Sequence, residues 1–429
     1  MNVPNAPRTN VDLTHFSDQC SDIGRLSTIA LMPVLPGDGA ELNIVGSLRF
    51  SPLRRSMIKD ARVDICTFFT PMRFMYDEAK WVDFIEKGYD EDVTLGIASA
   101  SGAQTDALGF TRNDTTNDYP KWMVYDYPKI WNNYFRPPTQ VDKIAETGTI
   151  KQILTTADRQ YYGMECAHLK TMWSTTLKNE LQASDYEVAV SSGKVSLIDM
   201  EKQLGFLRTE QEREYFNKRY RDIIREAGGW ANYDADQRPQ LIARSSFWSS
   251  GFDINGTDQA SLGQHSGRMA SDFMHRLPRW HVNEHGVIRT VMLVRYPSIS
   301  IEEFHYLSTK AEPTYAEIAG DPNVIATQPP IALKRKDIFS SSNTTTIGFM
   351  PYGQWYRYHP SFTNQRFRAV SGFPYIHKIA GPTNMHLITP ADYNAMFQTN
   401  QLRHWHCIAK INAPFMRRIP TAAQSLLTG

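Results

Sequence analysis

The sequence predicts a mainly β protein, an antiparallel sandwich whose late strands pair with early ones and which carries helical and irregular insertions. Two observations predict it. Apolar, β-prone runs open the chain and return near its end, and the segments between them change to helical periodicity or lose periodicity altogether. No low-complexity linker divides the chain, and its 24 Pro and 25 Gly are spread along it rather than gathered at a seam. At 429 residues the chain exceeds the roughly 250–300 residues at which a single core stops growing. One domain over residues 1–429 with long insertions is therefore expected.

The elements follow in order. RLSTIALMPV, ELNIVGSLRF and RVDICTFFT read as three strands, separated by the turn Pro36-Gly37-Asp38-Gly39 and by SPLRRSMIKDA. DEAKWVDFIEKG places Trp81, Val82 and Ile85 at helical spacing before Gly88 and reads as a short helix. Residues from about Ala98 to Asp142 read as a long ordered loop or insertion, with little periodicity outside YPKIWNNYF. Ser196 to Leu207 and Thr209 to Ala227 read as helices, the second opened by a Thr209/Glu212 capping box and stopped by Gly228-Gly229. Strands resume with LIARSSFW and VIRTVMLVRY. A second irregular region follows Pro297, with a brief helix signal at PTYAEIAG and a helix expected from Thr389-Pro390 to about Thr399. HWHCIAKINAPF closes the pattern as a strand.

Tyr233 to Gly267 is dense in special residues, with four Asp, two Arg, one His and four Gly, yet it matches no metal, nucleophile or phosphate motif. Asn255-Gly256 after LIARSSFW signals a tight hairpin turn. FDINGTDQASLGQHSGR, IGRLSTI, SPLRRS, TEQEREYFNKRYRDI, GQWYRY and GFP all occur in this chain. In their order along the sequence they resemble the major capsid protein of the phiX-like microviruses, small icosahedral single-stranded DNA phages. The resemblance runs from about Asp12 to IPTAAQSLLTG. It implies an eight-stranded antiparallel viral jelly roll with long, helix-containing loop insertions. Core strands then fall at about 25–70, 241–296 and 403–414, and insertions at about 71–240 and 297–400. It also implies a virion protein assembled in the bacterial cytoplasm, with pentamers building an icosahedral shell around circular single-stranded DNA. The implied partners are further copies of the chain, a spike protein, a small basic DNA-binding protein, internal and external scaffolding proteins, the genomic DNA and host lipopolysaccharide.

Composition narrows the rest. Aromatics make up 12% of residues, including 20 Tyr and 9 Trp, which suits protein interfaces and a β core equally. Charged residues are only 21%, compatible with a surface covered by partners. Lys plus Arg is 46 against 45 Asp plus Glu, so the formal charge is +1 and the chain alone does not neutralise a packaged genome. Cys20, Cys66, Cys166 and Cys407 form no CxxC pair, which excludes a zinc ribbon and a thioredoxin motif and fits reduced cytosolic thiols. No leader opens the sequence and its apolar runs are short, so no membrane insertion is expected.

Each catalytic pattern fails on its surroundings. His281, Glu284 and His285 satisfy HxxEH, but Pro278 and Gly286 leave no room for the helix that puts both histidines on one face, and a turn is expected instead. Asp253 to Asp258 has its Gly fourth and Gln264 twelfth, unlike a calcium loop. Asp234 and Asp236 are the acids a glycoside hydrolase would use; that enzyme class and a carbohydrate-binding β-sandwich remain as alternatives. No GxSxG, GxxxxGK[ST] or GxGxxG occurs. No enzymatic activity and no cofactor are expected, and a structural divalent cation leaves no readable signature. Candidate nucleic-acid contacts are Arg54, Arg55, Arg213, Lys218, Arg219, Arg221, Arg225, Arg417 and Arg418, although acids on the 209–227 helix also pair its cations. Trp355, Tyr356 and Tyr358 are the candidate stacking or interface aromatics.

Overall fold

The computed structural model describes residues 8–53, 60–87, 94–99, 108–109, 118–135, 144–147, 238–255, 265–296, 299–300, 304–328, 331–338, 344, 346–350, 352–357, 359, 376–377, 393–394, 396–398 and 403–417. Its first strands are β1 Thr9–Asp12, β2 His15–Ser21, β3 Leu26–Val34, β4 Gly39–Phe50 and β5 Ala61–Pro71. A short hairpin, β6 Ile97–Ser99 and β7 Asp118–Pro120, follows the helix Glu78–Lys87. Next come β8 Gln240–Ser249, β9 Gly251–Asn255, β10 His265–His281 and β11 Gly286–Arg295. The minor strands β12 Ile299–Ser300, β13 Ile331–Lys334, β14 Thr346–Met350 and β15 Ile376–His377 precede β16 Trp405–Asn412 and β17 Pro414–Arg417.

The pairing is nested. β2 pairs with β16, β3 with β11, β4 with β10 and β5 with β8, all antiparallel, so the ribbon's first strand meets its last and its fourth meets its fifth. The ribbon then rolls up, because β16 also pairs with β4 and β11 with β5. The result is a jelly roll. One sheet runs β2-β16-β4-β10-β9, extended past β4 by β17 and β1; the other is β3-β11-β5-β8.

Strand sequences follow from which faces are covered. In β4, Ala40, Leu42, Ile44, Leu48 and Phe50 alternate inward, as do Trp405, Cys407, Ala409 and Ile411 of β16. They meet Val63, Ile65, Ile288 and Met292 of the facing sheet in the main core. The second sheet is covered on its outer side too. Cys66 and Phe68 of β5 and Val287, Val291 and Leu293 of β11 pack there against Leu108, Tyr127, Ile130 and Trp131. Burial on both faces accounts for the near-continuous apolar runs ICTFF and VMLV. An ideal Cβ at Gly286 would lie 2.2 Å from Phe69 Cε2 and 2.9 Å from the Thr70 carbonyl oxygen, so only glycine fits where β11 crosses β5.

Two buried polar groups tie the layers together. Arg289 of β11 and Asp126 of the helical segment Asp126–Ile130 are both 0% exposed and form a two-pronged pair, Nε to Oδ2 at 2.6 Å and an η nitrogen to Oδ1 at 2.8 Å. The same guanidinium donates to Thr28 Oγ1 and to the carbonyls of Leu108 and Met123, so all five of its N–H groups are used. Burial raises the Asp126 carboxyl pKa, against the pull of Arg289. Between the sheets, His275 of β10 bonds through Nε2 to Thr67 Oγ1 and through Nδ1 to Ser245 Oγ, both at 2.8 Å, and Thr67 continues to Thr290. Burial pushes the His275 imidazole down to about 4.

Several expectations change. β1 and β2 lie ahead of the first expected strand, and THFSDQCS carries polar residues on both faces, which gives β2 no strand signature. β10 is an additional strand within 241–296, masked in the sequence because Ser271 and His275 interrupt its inward row of Met269, Phe273 and Leu277. Asn255 pairs with His265, so the β9–β10 connection is residues 256–264 and not a two-residue Asn-Gly turn. YPKIWNNYF, the one periodic stretch of the expected 98–142 loop or insertion, is helical over Asp126–Ile130 and Trp131–Phe135. Near the expected 389–399 helix, residues 393–394 and 396 form a 3-10 turn and Phe397 bridges Leu53. The expected helices at Ser196–Leu207 and Thr209–Ala227 lie outside the described residues. Glu78–Lys87 and Tyr315–Ile318 form as expected.

Asp126→Ala strands the Arg289 charge in the interior and is expected to cost about 3–5 kcal/mol, read as a fall in thermal midpoint; Arg289→Met in the same chain should restore much of it. For His275 the unfolded chain binds a proton near 6.5 and the folded chain only near 4. Stability from the neutral imidazole is therefore complete above pH 6.5 and is lost as pH falls through that window, at about 1.4 kcal/mol per pH unit. Urea midpoints measured from pH 7 to 4 should show a shallower acid loss in His275→Gln than in the parent chain.

Candidate functional site

Of the candidate contacts read from the sequence, Arg54, Arg55, Arg213, Lys218, Arg219, Arg221, Arg225, Arg418 and Tyr358 lie outside the described residues. Arg417 is committed within the chain. Its Nε donates to Asp38 Oδ2 at 2.8 Å, an η nitrogen donates to the Pro33 carbonyl at 2.6 Å, and its guanidinium lies 5.0 Å from the Phe415 ring centre. That charge closes β17 onto the β3–β4 turn and is neutralised there. Trp355 also departs from its expected place at a surface. It sits in the 3-10 turn Gln354–Arg357, is 0% exposed, stacks on Tyr306 at 5.0 Å and meets the edge of Tyr352 at 4.9 Å. It is a core side chain, closed to bases and partners. Tyr356, beside it, is half-exposed and donates its hydroxyl to the carbonyls of Glu317 and Ile318. The three candidates that are described therefore do not converge on one site.

His281 ends β10 and the residues after it form a turn, with Glu284 taken by Arg73 at 2.8 Å. Among the described residues no group of three or more His, Cys, Asp or Glu is placed to hold a metal, and no helix is long and apolar enough to cross a membrane.

Cross-strand pairing builds a different cluster. Asp64 of β5 is almost fully buried, and three arginines surround it: Arg62 at 3.3 Å, Arg244 of β8 at 3.5 Å, and Arg295 of β11 in a shorter ion pair. Ser246 adds a hydroxyl donor. In register, Arg62 faces Arg295 on one side and Trp248 on the other, while Arg244 faces Cys66. Burial, and then the neighbouring Arg62 charge, lower the Arg295 pKa to about 10. Trp248 is 57% exposed, with Arg62 6.0 Å from its ring centre. Arg244 and Arg295 also rim a cleft of about 130 Å³ walled by Phe68, Tyr134, Phe135 and Leu241. The sequence separations of these residues hid the cluster; only strand register reveals it.

A second surface is apolar. On the outer face of the β2-β16-β4-β10 sheet, Phe16, Val45, Met274 and Ile408 are 69%, 45%, 66% and 54% exposed. They are neighbours: Lys410 is opposite both Phe16 and Val45, Val45 is opposite Met274, and Ile408 lies one pleat away. No described element packs over them.

Compared with known proteins, the chain matches a family model described as "Capsid protein (F protein)" over residues 1–197 and 184–427. The chain belongs to this F capsid protein family. It is 38% identical over 430 residues to Capsid protein F of Enterobacteria phage phiK, covering 99% of this chain and 98% of that protein. Capsid protein F of Escherichia phage alpha3 is 37% identical over 432 residues, and that of Escherichia phage G4 is 37% identical over 425, each with the same 99% and 98% coverage.

Capsid F proteins are structural components of a virion shell, so this chain self-assembles and is not an enzyme. The hydrolase and sugar-binding alternatives give way to that assignment. What matters in a capsid F subunit is which surfaces are satisfied within the chain and which are left for other molecules. Trp355→Ala should cost about 3–5 kcal/mol of folding stability, the loss of a large buried side chain. Tyr356→Phe should change the thermal midpoint far less; similar effects from both would contradict the placement of Trp355 in the core.

Proposed function

We propose that this chain is the building block of a T=1 icosahedral capsid, folded as one domain over residues 1–429, that forms pentamers and closes around circular single-stranded DNA. The observation that carries the assembly reading is the unequal treatment of the two sheets. One outer face is packed beneath its own insertion, whereas the other leaves Phe16, Val45, Met274 and Ile408 in water. Contiguous exposed apolar surface of this kind marks an interaction site. A second copy of the chain is the occupant that fits a self-assembling subunit. Repeated head-to-tail contacts close into rings when their rotation permits, and moderate contact strength lets misplaced subunits leave before closure.

The remaining partners rest on the family resemblance: a spike protein, internal and external scaffolding proteins, and recognition of host lipopolysaccharide by exposed loops. A formal charge of +1 supports one more, a small basic protein that supplies the cations a packaged genome needs. Met274→Asp combined with Ile408→Asp tests the face. Both side chains are exposed, so circular dichroism and thermal midpoint should stay as in the parent. Sedimentation and electron microscopy should show small species in place of shells. Normal shells from the double variant would move the contact elsewhere.

A further inference from the structure

The return of the β11–β16 connection into the roll turns on one buried histidine. His404 is 1% exposed, stands one residue ahead of β16 and is engaged through both ring nitrogens. Ile23 donates its backbone N–H to Nδ1 at 3.1 Å, and Nε2 lies 2.7 Å from Asn394 Oδ1. A backbone N–H can only donate, so Nδ1 presents its lone pair and the neutral ring carries its hydrogen on Nε2. Phe397 stacks on the same ring at 4.7 Å, with the planes 9° apart. One imidazole thus joins the corner Ser21–Ile23, where β2 ends, to the turn formed by residues 393–398. Backbone bonds run beside it, from the Gln398 N–H to the Pro52 carbonyl and from the Ser51 N–H to the His404 carbonyl. The seam is also strained. Among the described residues Arg403 is the non-glycine residue with positive φ, at 62°. Ser51 Oγ donating to its carbonyl at 2.6 Å and its own guanidinium on Asp22 at 2.9 Å keep it there.

We propose that His404 is a proton-operated latch: neutral, it holds the end of the β11–β16 connection against the corner after β2, and protonated, it lets that end go while the roll stays folded. A proton arriving at Nδ1 sets one N–H against the N–H of Ile23, so the bond between corner and ring must break. Asp22 and Arg403 are the charged groups that face the ring; Ser51–Leu53 brings no titratable group, and the turn brings Tyr393, edge-on at 6.5 Å. Asp22 Oδ1 is 3.7 Å from Nδ1, and Arg403 already draws on the same carboxylate. Burial lowers the imidazole pKa from its ordinary 6.5, with Asp22 opposing the fall and Arg403 adding to it. The open seam therefore takes up its proton at the ordinary value and the closed seam only at a lower one. Closure is complete above pH 6.5 and is lost as pH falls below it. The β2–β16 ladder from His15 to Ser21 does not pass through the ring and keeps the roll together. The latch is independent of which surfaces of the subunit meet in a shell.

Hydrogen exchange of the full-length protein, read by mass spectrometry at pH 7.5 and 5.5 and corrected for the intrinsic rate, tests the latch. Peptides covering 21–25 and 393–404 should exchange faster than the β3–β11 ladder at both pH values. Between the two their rate should rise by about threefold to about tenfold, the ceiling being one proton taken up over one pH unit below the ordinary imidazole value. Asn394→Asp gives Nε2–H a carboxylate partner and favours the imidazolium in the closed seam. It should cancel the rise while His404 keeps its place, which a purely structural histidine would not show. His404→Asn keeps an oxygen near the position of Nδ1 and cannot titrate, so its seam should exchange alike at the two pH values; should that variant fail to fold, Asn394→Asp decides. His275→Gln removes the buried imidazole between the sheets and should leave the rise at the seam intact. A seam that exchanges only at the ladder's rate opens with the whole roll, and the latch is then wrong. It is equally wrong if the parent shows no rise, if Asn394→Asp shows the parent's rise, or if the rise vanishes in His275→Gln.

Discussion

Nested strand pairing is the constraint to which the rest of this molecule answers. β2 is hydrogen-bonded to β16 from His15 to Ser21, so the chain's early and late segments must meet before the first sheet is whole. Once those partners are set, extra sequence has few places to go. It accumulates between β5 and β8 and between β11 and β16, where a connection leaves one strand end and returns to another without breaking a ladder. Closing a longer loop costs only slowly more entropy, so the roll tolerates connections far larger than its strands. The long connections of this capsid subunit are in that sense a product of its topology.

The insertion after β5 pays back part of this length by burying outward side chains of β3, β11 and β5. Arg289 fixes its position. A fully donated guanidinium has one compatible arrangement of acceptors, and all but Thr28 Oγ1, namely the Asp126 carboxylate and the Leu108 and Met123 carbonyls, belong to the insertion itself. The opposite sheet has no such cover among the described residues, and the pleat of β4 and β16 shows it, with inward positions apolar and outward ones mixed. The two faces of one roll therefore differ: one is covered in large part by the chain's own insertion, the other is open among the described residues.

How much of this was legible depended on whether the signal was local. β3, β5 and β11, buried on both faces, are readable as apolar runs, β8 as a β-prone one, and the helix Glu78–Lys87 from the spacing of its side chains. β2 and β10 are not, because their inward rows include Ser17, Gln19, Ser271 and His275, polar residues that look like loop until the strand pairing is known; His275, for one, is satisfied from β8 and β5. The site suffered more. GQWYRY looked like a surface run of aromatics, yet Trp355 is folded against Tyr306, while Arg62, Arg244 and Arg295 sit in three unremarkable strand sequences. Convergence of that kind is set by register, and register has no local signature.

The cysteines show a further consequence of the two-faced roll. Cys66 and Cys407 point into apolar packing, which pushes their thiols up to about 11 and about 12 and keeps them protonated and inert. Cys20 is exposed, on the open sheet beside His406 in the β2–β16 ladder. Among the described residues it is the thiol a mild alkylating reagent reaches. If the open sheet is the assembly face proposed above, its position there makes it a built-in reporter: the rate of covalent modification would fall as subunits become particles, without an engineered label.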